Sequence, residues 1–547
     1  MNFKGTSGDD DLSGTPGNDV FNMVQGGNDT VDGGGGSDVF KFGASFNSGD
    51  FVDGGSGTDK LSLDGDYSVT LQIKSTMLQN VEQIVLGTGH DYSLAVLDGV
   101  IADGQSMTIN AAALTGNNTL NLDATFLTGA SANTTLIVDS GTGVTYFYAG
   151  VGNNVLHGGT GGDQVFFGAD FDSHDSLDGG LGSGNNSLTL SGDYSAGLTF
   201  KAAMMQNFQF LTLEGGDSYK LTMSDGNVAA GQILFVNAGG LSATQTLIFN
   251  GAHESDGSFS VTGGAGNDVF AGGAQEDHFL GMNGGNDNIS GNGGDDTMSM
   301  GGALTGLDRI DGGAGSDEVD LDGDYSGGLT FKAATLTNVE TLFLAMNHSY
   351  KLTLNDGNVA AGQHMDIDGD LVDAAHTVFV DAGQETNGTL YIGGGDGDDV
   401  LVGGQAGNVM SGGLGKDHLT AGTGADVFVY FSAAQSTGAG RDTVSGFDAL
   451  HDDFNVPGTV GAIDAALNTG MLREGAHFDG DLAASVNAAH LAAGSAMLFT
   501  PDSGTLHGDV FLIVDVNGVA GYQAGQDLVI QLDSATHLAS LGTGNFS

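Results

Sequence analysis

The sequence predicts an all-β protein, an elongated parallel β-solenoid, on three observations. The stretch from Gly394 to Val429 reads GGDGDDVLV, GGQAGNVMS, GGLGKDHLT and AGTGADVFV, four nine-residue units without a gap. A pattern of forty residues recurs three times elsewhere, each time without an insertion. Runs such as Val339 to Leu344 and Tyr350 to Leu354 alternate apolar and polar residues between Gly, Asn and Asp, which is a strand pattern. Helical pattern is nearly absent before residue 450. Periodicity of this kind points to an array of stacked coils, not to a fold around one core.

The nine-residue units place Asp399, Asn408, Asp417 and Asp426 at one phase, and Leu401, Met410, Leu419 and Phe428 two residues later. Glycines let the chain turn sharply, so that backbone carbonyls can converge. Calcium takes six to eight oxygen ligands and accepts carbonyls as readily as carboxylates. The tripeptide after each Asp reads as a short strand whose middle residue points inward. A flexible glycine-rich linker would not keep an apolar residue at every ninth position.

The same phase recurs in three other blocks. Near the start it carries Asp10, Asp19, Asp29, Asp38, Asp50 and Asp59. An imperfect block carries Asn154, Asp163 and Asp175 and ends in the turn GGLGSGNNS. A strong block beginning GGAGNDVFA carries Asp268, Asp277, Asp287, Asp296, Asp308 and Asp317. The G-G-x-G-x-D-x-U-x pattern resembles the RTX, or haemolysin-type calcium-binding, repeat. The resemblance implies a parallel β-roll in which the Asp turns hold multiple Ca2+ ions between neighbouring coils, with the residues named above as ligands.

Between the blocks, LDGDYSVTLQIK, LSGDYSAGLTFK and LDGDYSGGLTFK begin at Leu63, Leu190 and Leu321. Counting from each Asp-Tyr pair, Lys74, Lys201 and Lys332 fall at one offset, and DG turns at Asp98, Asp225 and Asp356 at another. The full unit is about 130 residues. The expected organisation is roll blocks at 1–62, 149–187, 263–320 and 394–430, alternating with calcium-poor solenoid repeats at 63–148, 188–262 and 321–393, and a C-terminal region at 431–547. A β-sandwich inserted between rolls is the competing reading of the repeats.

Composition narrows the function. The chain of 547 residues has 68 acids against 12 basic residues, a formal charge of −56. Such charge opposes a compact state unless cations neutralise it. Absence of cysteine removes disulfide staples, a role calcium can take. Scattered lysines and the arginines Arg309, Arg441 and Arg473 give no nucleic-acid footprint. No stretch approaches the roughly 20 apolar residues of a membrane helix. The start, MNFKGTSGDDDLSG, lacks the apolar core of a signal peptide.

After Val429 the repeats stop. RDTVSGFDALHDDFNV resembles the segment closing the β-roll of serralysin-type RTX proteins, and Asp509 to Leu532 resembles the C-terminal targeting region of type I secreted RTX proteins. The resemblance implies an uncleaved signal read by an ATP-driven exporter. A small β-cap covering the open edge is the structural alternative. Ala-rich Asp481 to Met497 reads as one helix, and Asp515, Asn517 and Asp527 as a further candidate calcium turn.

Catalytic motifs are missing. His253-Glu254 does not extend to H-E-x-x-H, and no G-x-S-x-G elbow exists. The histidines, His90, His348 and His451 among them, read as loop residues. Lys74, Lys201 and Lys332 recur too regularly for catalysis, and pairing with neighbouring Asp-rich turns is expected of them. The reading is a secreted, non-enzymatic calcium-binding protein of the cell surface or matrix, a surface-layer, biofilm or adhesin-like component. Its expected contacts are self-association or cell-surface polysaccharide. The alternative is a carbohydrate-active enzyme or carbohydrate-binding protein on a β-solenoid.

Overall fold

The computed structural model describes residues 1–128, 133–182, 184–280 and 283–547; Ser183 of the GGLGSGNNS turn lies outside them. The chain divides into two compact units, Met1–Asp277 and His278–Ser547. Each is built from short parallel strands stacked coil on coil, so both are β-solenoids.

In the first unit the inward residue of each nonapeptide strand lands on its counterpart one coil later. Phe3 pairs with Phe21, Phe21 with Phe40 and Phe40 with Leu61 on one face. On the other face Leu12 pairs with Val31, Val31 with Val52 and Val52 with Leu78. Two nonapeptides thus make one coil. The apolar side chains between the faces are the core, and Phe21, Val31, Phe40, Val52 and Leu61 have no exposed surface. Phe3, Phe21 and Phe40 stack with centroids 4.7 and 5.0 Å apart.

Within each unit the long repeats are coils of that unit's own solenoid, not inserted sandwiches. Each opens with a longer strand that founds a new sheet: Tyr67–Ile73, Tyr194–Thr199 and Tyr325–Thr330. Each then gives a two-residue strand that ends an old one: Leu78–Gln79, Met205–Gln206 and Leu336–Thr337. One face of the coil is therefore replaced at every Asp-Tyr motif. The tyrosines fix the exchange. Tyr67 and Tyr325 each donate to a carbonyl of the preceding turn, Gly43 at 2.9 Å and Gly301 at 2.8 Å. Tyr67 stacks on Tyr92, Tyr194 on Tyr219 and Tyr325 on Tyr350, with centroids 5.9 to 6.1 Å apart. Asn80, Asn207 and Asn338 turn the chain back at φ of 52°, 60° and 49°, a left-handed conformation that Asn tolerates.

The second unit repeats the scheme. One stack runs Met298, Val319, Leu342, Ile367, Ile392, Met410, Phe428 and Phe454. The opposite stack runs Leu329, Leu352, Val380, Leu401, Leu419 and Val444. It ends on Leu532, because Thr443–Ser445 pairs in parallel with Leu528–Asp533. That strand belongs to an antiparallel cap with Val510–Val514 and Ser495–Phe499. The expected helix is shorter than its alanines suggest and spans Phe478–Ser485. It stops at Val486, with ψ of 62°, and Ser495 onward is drawn into the cap sheet. Phe478 and Leu482 pack on Met497, Phe511 and Val529 in a separate core.

Candidate metal centre

The aspartates at position six are buried despite their charge. Asp38, Asp59, Asp163 and Asp426 have no exposed surface, and Asp19, Asp29, Asp399 and Asp417 expose 1%. Asp10, at the first turn, is half-buried. Along most of the ladder, one carboxylate oxygen of the buried aspartate accepts the backbone N–H of the residue paired with it one coil earlier. Asp19 N–H donates to Asp38 Oδ1 at 2.7 Å, Asp38 N–H to Asp59 at 2.7 Å and Asp399 N–H to Asp417 at 2.9 Å. Asp287 and Asp296 donate in the same way to Asp308 and Asp317, at 2.7 and 2.8 Å. These carboxylates lock the register between coils.

The second oxygen sorts the sites into two groups. In one, the oxygen is capped by an N–H of its own turn. Asp10, Asp19, Asp268, Asp277 and Asp426 accept from Thr6, Thr15, Gly264, Gly273 and Gly422 at 2.6 to 2.9 Å. Asp50, Asp175 and Asp308 accept from Asn47, Asp172 and Thr305 at 2.6 to 2.8 Å. In the other group the oxygen is buried with no donor: Oδ2 of Asp29, Asp38, Asp59, Asp317, Asp399 and Asp417. Asp163 belongs to neither, because Ser140, Thr145 and the Gly159 backbone of its own turn face its buried carboxylate.

Glycine conformation separates the groups. The turn before Asp417 puts Gly413 and Gly415 at φ of 92° and 121°, and that before Asp38 puts Gly34 and Gly36 at 83° and 109°. The N–H groups of such a turn are then spent elsewhere: Gly34 donates to Asp32 Oδ1 and Gly36 to the Ser56 carbonyl, both at 2.9 Å. A Cβ on Gly394 would lie 2.5 Å from both Asp399 Oδ2 and the Gly412 carbonyl oxygen. A Cβ on Gly33 would lie 2.5 Å from Asp38 Oδ2 and the Gly54 carbonyl. Oxygens from successive coils converge on one small volume that only glycine leaves open. Such an all-oxygen, carboxylate-containing set fits calcium.

Burial raises the carboxyl pKa values in the protein without metal. Asp59, Asp163, Asp175 and Asp277 are pushed up to about 6, Asp399 to about 7 and Asp417 to about 8, chiefly by desolvation. Asp19 moves down, because the amino group of Met1 hydrogen-bonds to it.

Asn154 and Asn408 hold the expected phase but turn the amide nitrogen inward. Asn408 Nδ2 donates to the carbonyls of Gly404 and Ala406 at 3.0 and 2.7 Å, and Asn154 Nδ2 to those of Gly150 and Gly152 at 3.0 and 3.1 Å. Asn186 does the same toward Gly179 and Asn207, at 2.8 and 2.9 Å.

The ladder also contains residues outside the nonapeptide phase. Glu82 Oε2 accepts from Asp59 N–H at 2.7 Å and Glu340 Oε2 from Asp317 N–H at 2.9 Å. Their counterpart in the middle repeat is Gln209, which accepts from Asn186 N–H at 2.9 Å. The signal was present in the long repeat, at one offset from each Asp-Tyr pair. Asp442 and Asp452 extend the ladder past Val429, accepting from Asp417 and Asp426 at 2.9 and 3.0 Å.

Other candidates resolve differently. Asp515 accepts Gly518 N–H at 2.7 Å, while Asp527 accepts Asn517 Nδ2 at 2.9 Å and Gln523 N–H at 2.6 Å, so this turn is closed by donors. Asp225, Glu254 and Asp256 bring carboxylate oxygens within 4.8 Å of one another. Ser255 Oγ caps Asp225 at 2.8 Å and Gly257 N–H caps Glu254 at 3.2 Å, which makes a loop clasp. Lys74, Lys201 and Lys332 are exposed, and among the described residues no lysine is within ion-pair distance of an acid, contrary to the expected pairing. His348 lies 3.2 Å from Asp322, half-buried, and His451 is exposed beside Asp448.

The family model for the RTX calcium-binding nonapeptide repeat matches residues 4–22, 23–45, 139–173, 260–284, 283–302 and 393–428. These segments include every position-six residue named above except Asp50, Asp59, Asp175, Asp308 and Asp317. No curated protein matches the chain. No described helix is long and apolar enough to cross a membrane. The chain carries RTX calcium-binding repeats at intervals from residue 4 to residue 428.

Proposed function

We propose that the protein is a secreted, non-enzymatic calcium-binding scaffold of the cell surface or extracellular matrix, which folds as calcium loads it after export. The observation that carries this reading is the set of buried aspartates whose second oxygen faces glycine-turn carbonyls and has no donor. Asp29, Asp38, Asp59, Asp317, Asp399 and Asp417 are the proposed ligands of this kind, with Glu82 and Glu340 completing the sites that follow Asp59 and Asp317. Calcium supplies the positive charge that the chain lacks there, with 12 basic residues against 68 acids. In an unfolded chain these oxygens are apart, so binding free energy becomes folding free energy. A cytoplasm poor in calcium would keep the chain unfolded for a type I exporter, and the extracellular level would fold it.

The C-terminal region is proposed as both the exporter's address and the cap. Stacked coils with repeating faces suit self-association or multivalent contact with surface polysaccharide. The test is secretion by the native host with and without residues 509–547, followed by calcium-dependent sedimentation of the secreted chain. Retention of the truncated chain and calcium-dependent assembly of the full one are expected. Efficient export of the truncation, or a secreted chain indifferent to calcium, would refute the reading.

A further inference from the structure

One outward face of the first unit carries no charge. Five parallel strands in succession build it: Val144–Tyr148, Asp163–Phe167, Ser187–Leu190, Phe210–Leu213 and Ile233–Asn237. Their inward residues Phe147, Val165, Leu188, Leu211 and Leu234 have no exposed surface, so the alternate positions point to solvent. Those positions hold Tyr146, Tyr148, Phe166, Phe210, Ile233 and Phe235, with Val144 and neutral Gln, Ser, Thr and Asn between them. The chain has 68 acids, yet none points outward here. The matching positions of the second unit are acidic. Where the first unit has Ser187, Thr189, Phe235 and Asn237, the second has Glu318, Asp320, Asp366 and Asp368.

The rings stand in two pairs on neighbouring coils. Tyr148 and Phe166 have centroids 4.6 Å apart and planes 10° from parallel; Phe210 and Phe235 lie 5.5 Å apart at 21°. Ser187–Leu190 runs between the pairs, and its outward residues are small: Thr189 is beside Phe166 and Ser187 beside Phe210. A trough one strand wide results, floored by two hydroxyls and flanked by Phe166 on one side and Phe210 on the other. A ring set over Ser187 and Thr189 would be about 4.8 Å, one strand spacing, from either flank. The rings of this face stack on each other at that same range.

Charge and area limit what can cover such a face. A chain of −56 repels polyanions, and a polycation finds no acid here to pair with. Five strands about 4.8 Å apart, each of some five residues rising about 3.3 Å, span roughly 400 Å². Each partner in a stable protein complex contributes about 800 Å². A second copy of the chain would gain too little there to stay bound, whereas a single polymer chain is narrow enough to be fully seated. Sugar rings offer apolar C–H faces to aromatic rings and hydroxyls to Ser, Thr, Asn and Gln. We propose that the outward face of residues 144–237 binds a neutral polysaccharide, with a sugar ring over Ser187 and Thr189 between Phe166 and Phe210. The inference rests on the surface-scaffold reading above and gives its polysaccharide contact a place and a chemical class.

Affinity electrophoresis of the full chain in calcium tests it, in gels cast with dextran, a mixed-linkage β-glucan or a mannan, and with hyaluronan as the polyanion. Retardation by at least one neutral polymer and none by hyaluronan is expected. Phe166→Ser combined with Phe210→Ser should weaken retardation about tenfold or more. Ser187→Glu removes no ring and copies the residue that the second unit carries, and it should weaken retardation too. Phe343→Ser, at an outward position of the second unit, should change nothing. Equal losses with Phe343→Ser, or retardation by hyaluronan alone, overturn the proposal. So does a dimer that Ser187→Glu abolishes in a chain that no polymer retards. Circular dichroism and secretion are scored in parallel. A calcium-folded, secreted chain that none of the neutral polymers retards overturns this proposal alone; a chain whose fold and secretion ignore calcium overturns the reading beneath it as well.

Discussion

A buried aspartate with one oxygen committed to a backbone N–H and the other bare is poised between a proton and a cation. Asp417 is the sharpest case. Its pKa is raised to about 8 by desolvation first, then by the charges of Asp399 and Asp398. Without calcium, a carboxyl raised above its unfolded value of 3.8 stabilises the fold at low pH, and that contribution is lost as pH rises through about 8. With calcium the sign reverses, because the ion needs the carboxylate. The calcium concentration at half-saturation should therefore rise as pH falls from about 8 to about 6, by up to roughly tenfold per pH unit for each proton displaced. Calcium titrations at three pH values check this; a midpoint independent of pH would contradict it. A second residue-scale test concerns the face exchange. Tyr325→Phe keeps the stack on Tyr350 but loses the bond to Gly301 and leaves Leu304 N–H without its acceptor. Destabilisation of about 1–2 kcal/mol is expected in denaturant unfolding, and an unchanged midpoint would argue against the role given to the hydroxyl.

At the scale of elements, the turn decides what the strand cannot. The strand that follows each Asp, and its inward eighth residue, were legible because strand alternation is local: Leu401, Met410, Leu419 and Phe428 all have no exposed surface. The direction of the turn was not legible. GGAGND before Asp268 and GGAGSD before Asp317 share all their glycines, yet Gly313 adopts φ of 107° while Gly264 donates its N–H to Asp268. That choice depends on the neighbouring coil, which sequence periodicity does not contain. Asp442 and Asp452 were missed because they follow their coil partners by 25 and 26 residues, off the nine-residue phase. Gly413 and Gly458 offer a matched pair, both at φ of 92°, but a Cβ on Gly413 would strike the Gly395 carbonyl and one on Gly458 would meet nothing within 4 Å. Gly458→Ala should cost about 1 kcal/mol from the backbone alone, and Gly413→Ala roughly 2–4 kcal/mol with the steric clash added. Equal losses on thermal unfolding would mean that the close approach of the coils carries no energy.

At the scale of the whole molecule, two facts govern behaviour: an open stack of strands and a large negative charge. The stack in the second unit ends where Thr443–Ser445 meets Leu528–Asp533. Removing residues 509–547 takes away that partner and exposes a strand edge, which templates association. The purified truncation should scatter light more strongly than the full chain at the same protein and calcium concentrations; scattering no greater than that of the full chain would contradict the capping role. The charge of −56 has the wider reach. Carboxylates stacked along the coils repel one another, and the parallel pairing that buries them holds only if that repulsion is relieved. The measurement that bears most directly on calcium-dependent folding is the far-ultraviolet circular dichroism of the purified full chain, taken first in excess chelator and then through a calcium titration. A largely disordered spectrum that becomes β-rich cooperatively at roughly millimolar calcium, the range of extracellular modules, is the expected result. A β-rich spectrum already complete in chelator and unchanged by calcium would contradict it.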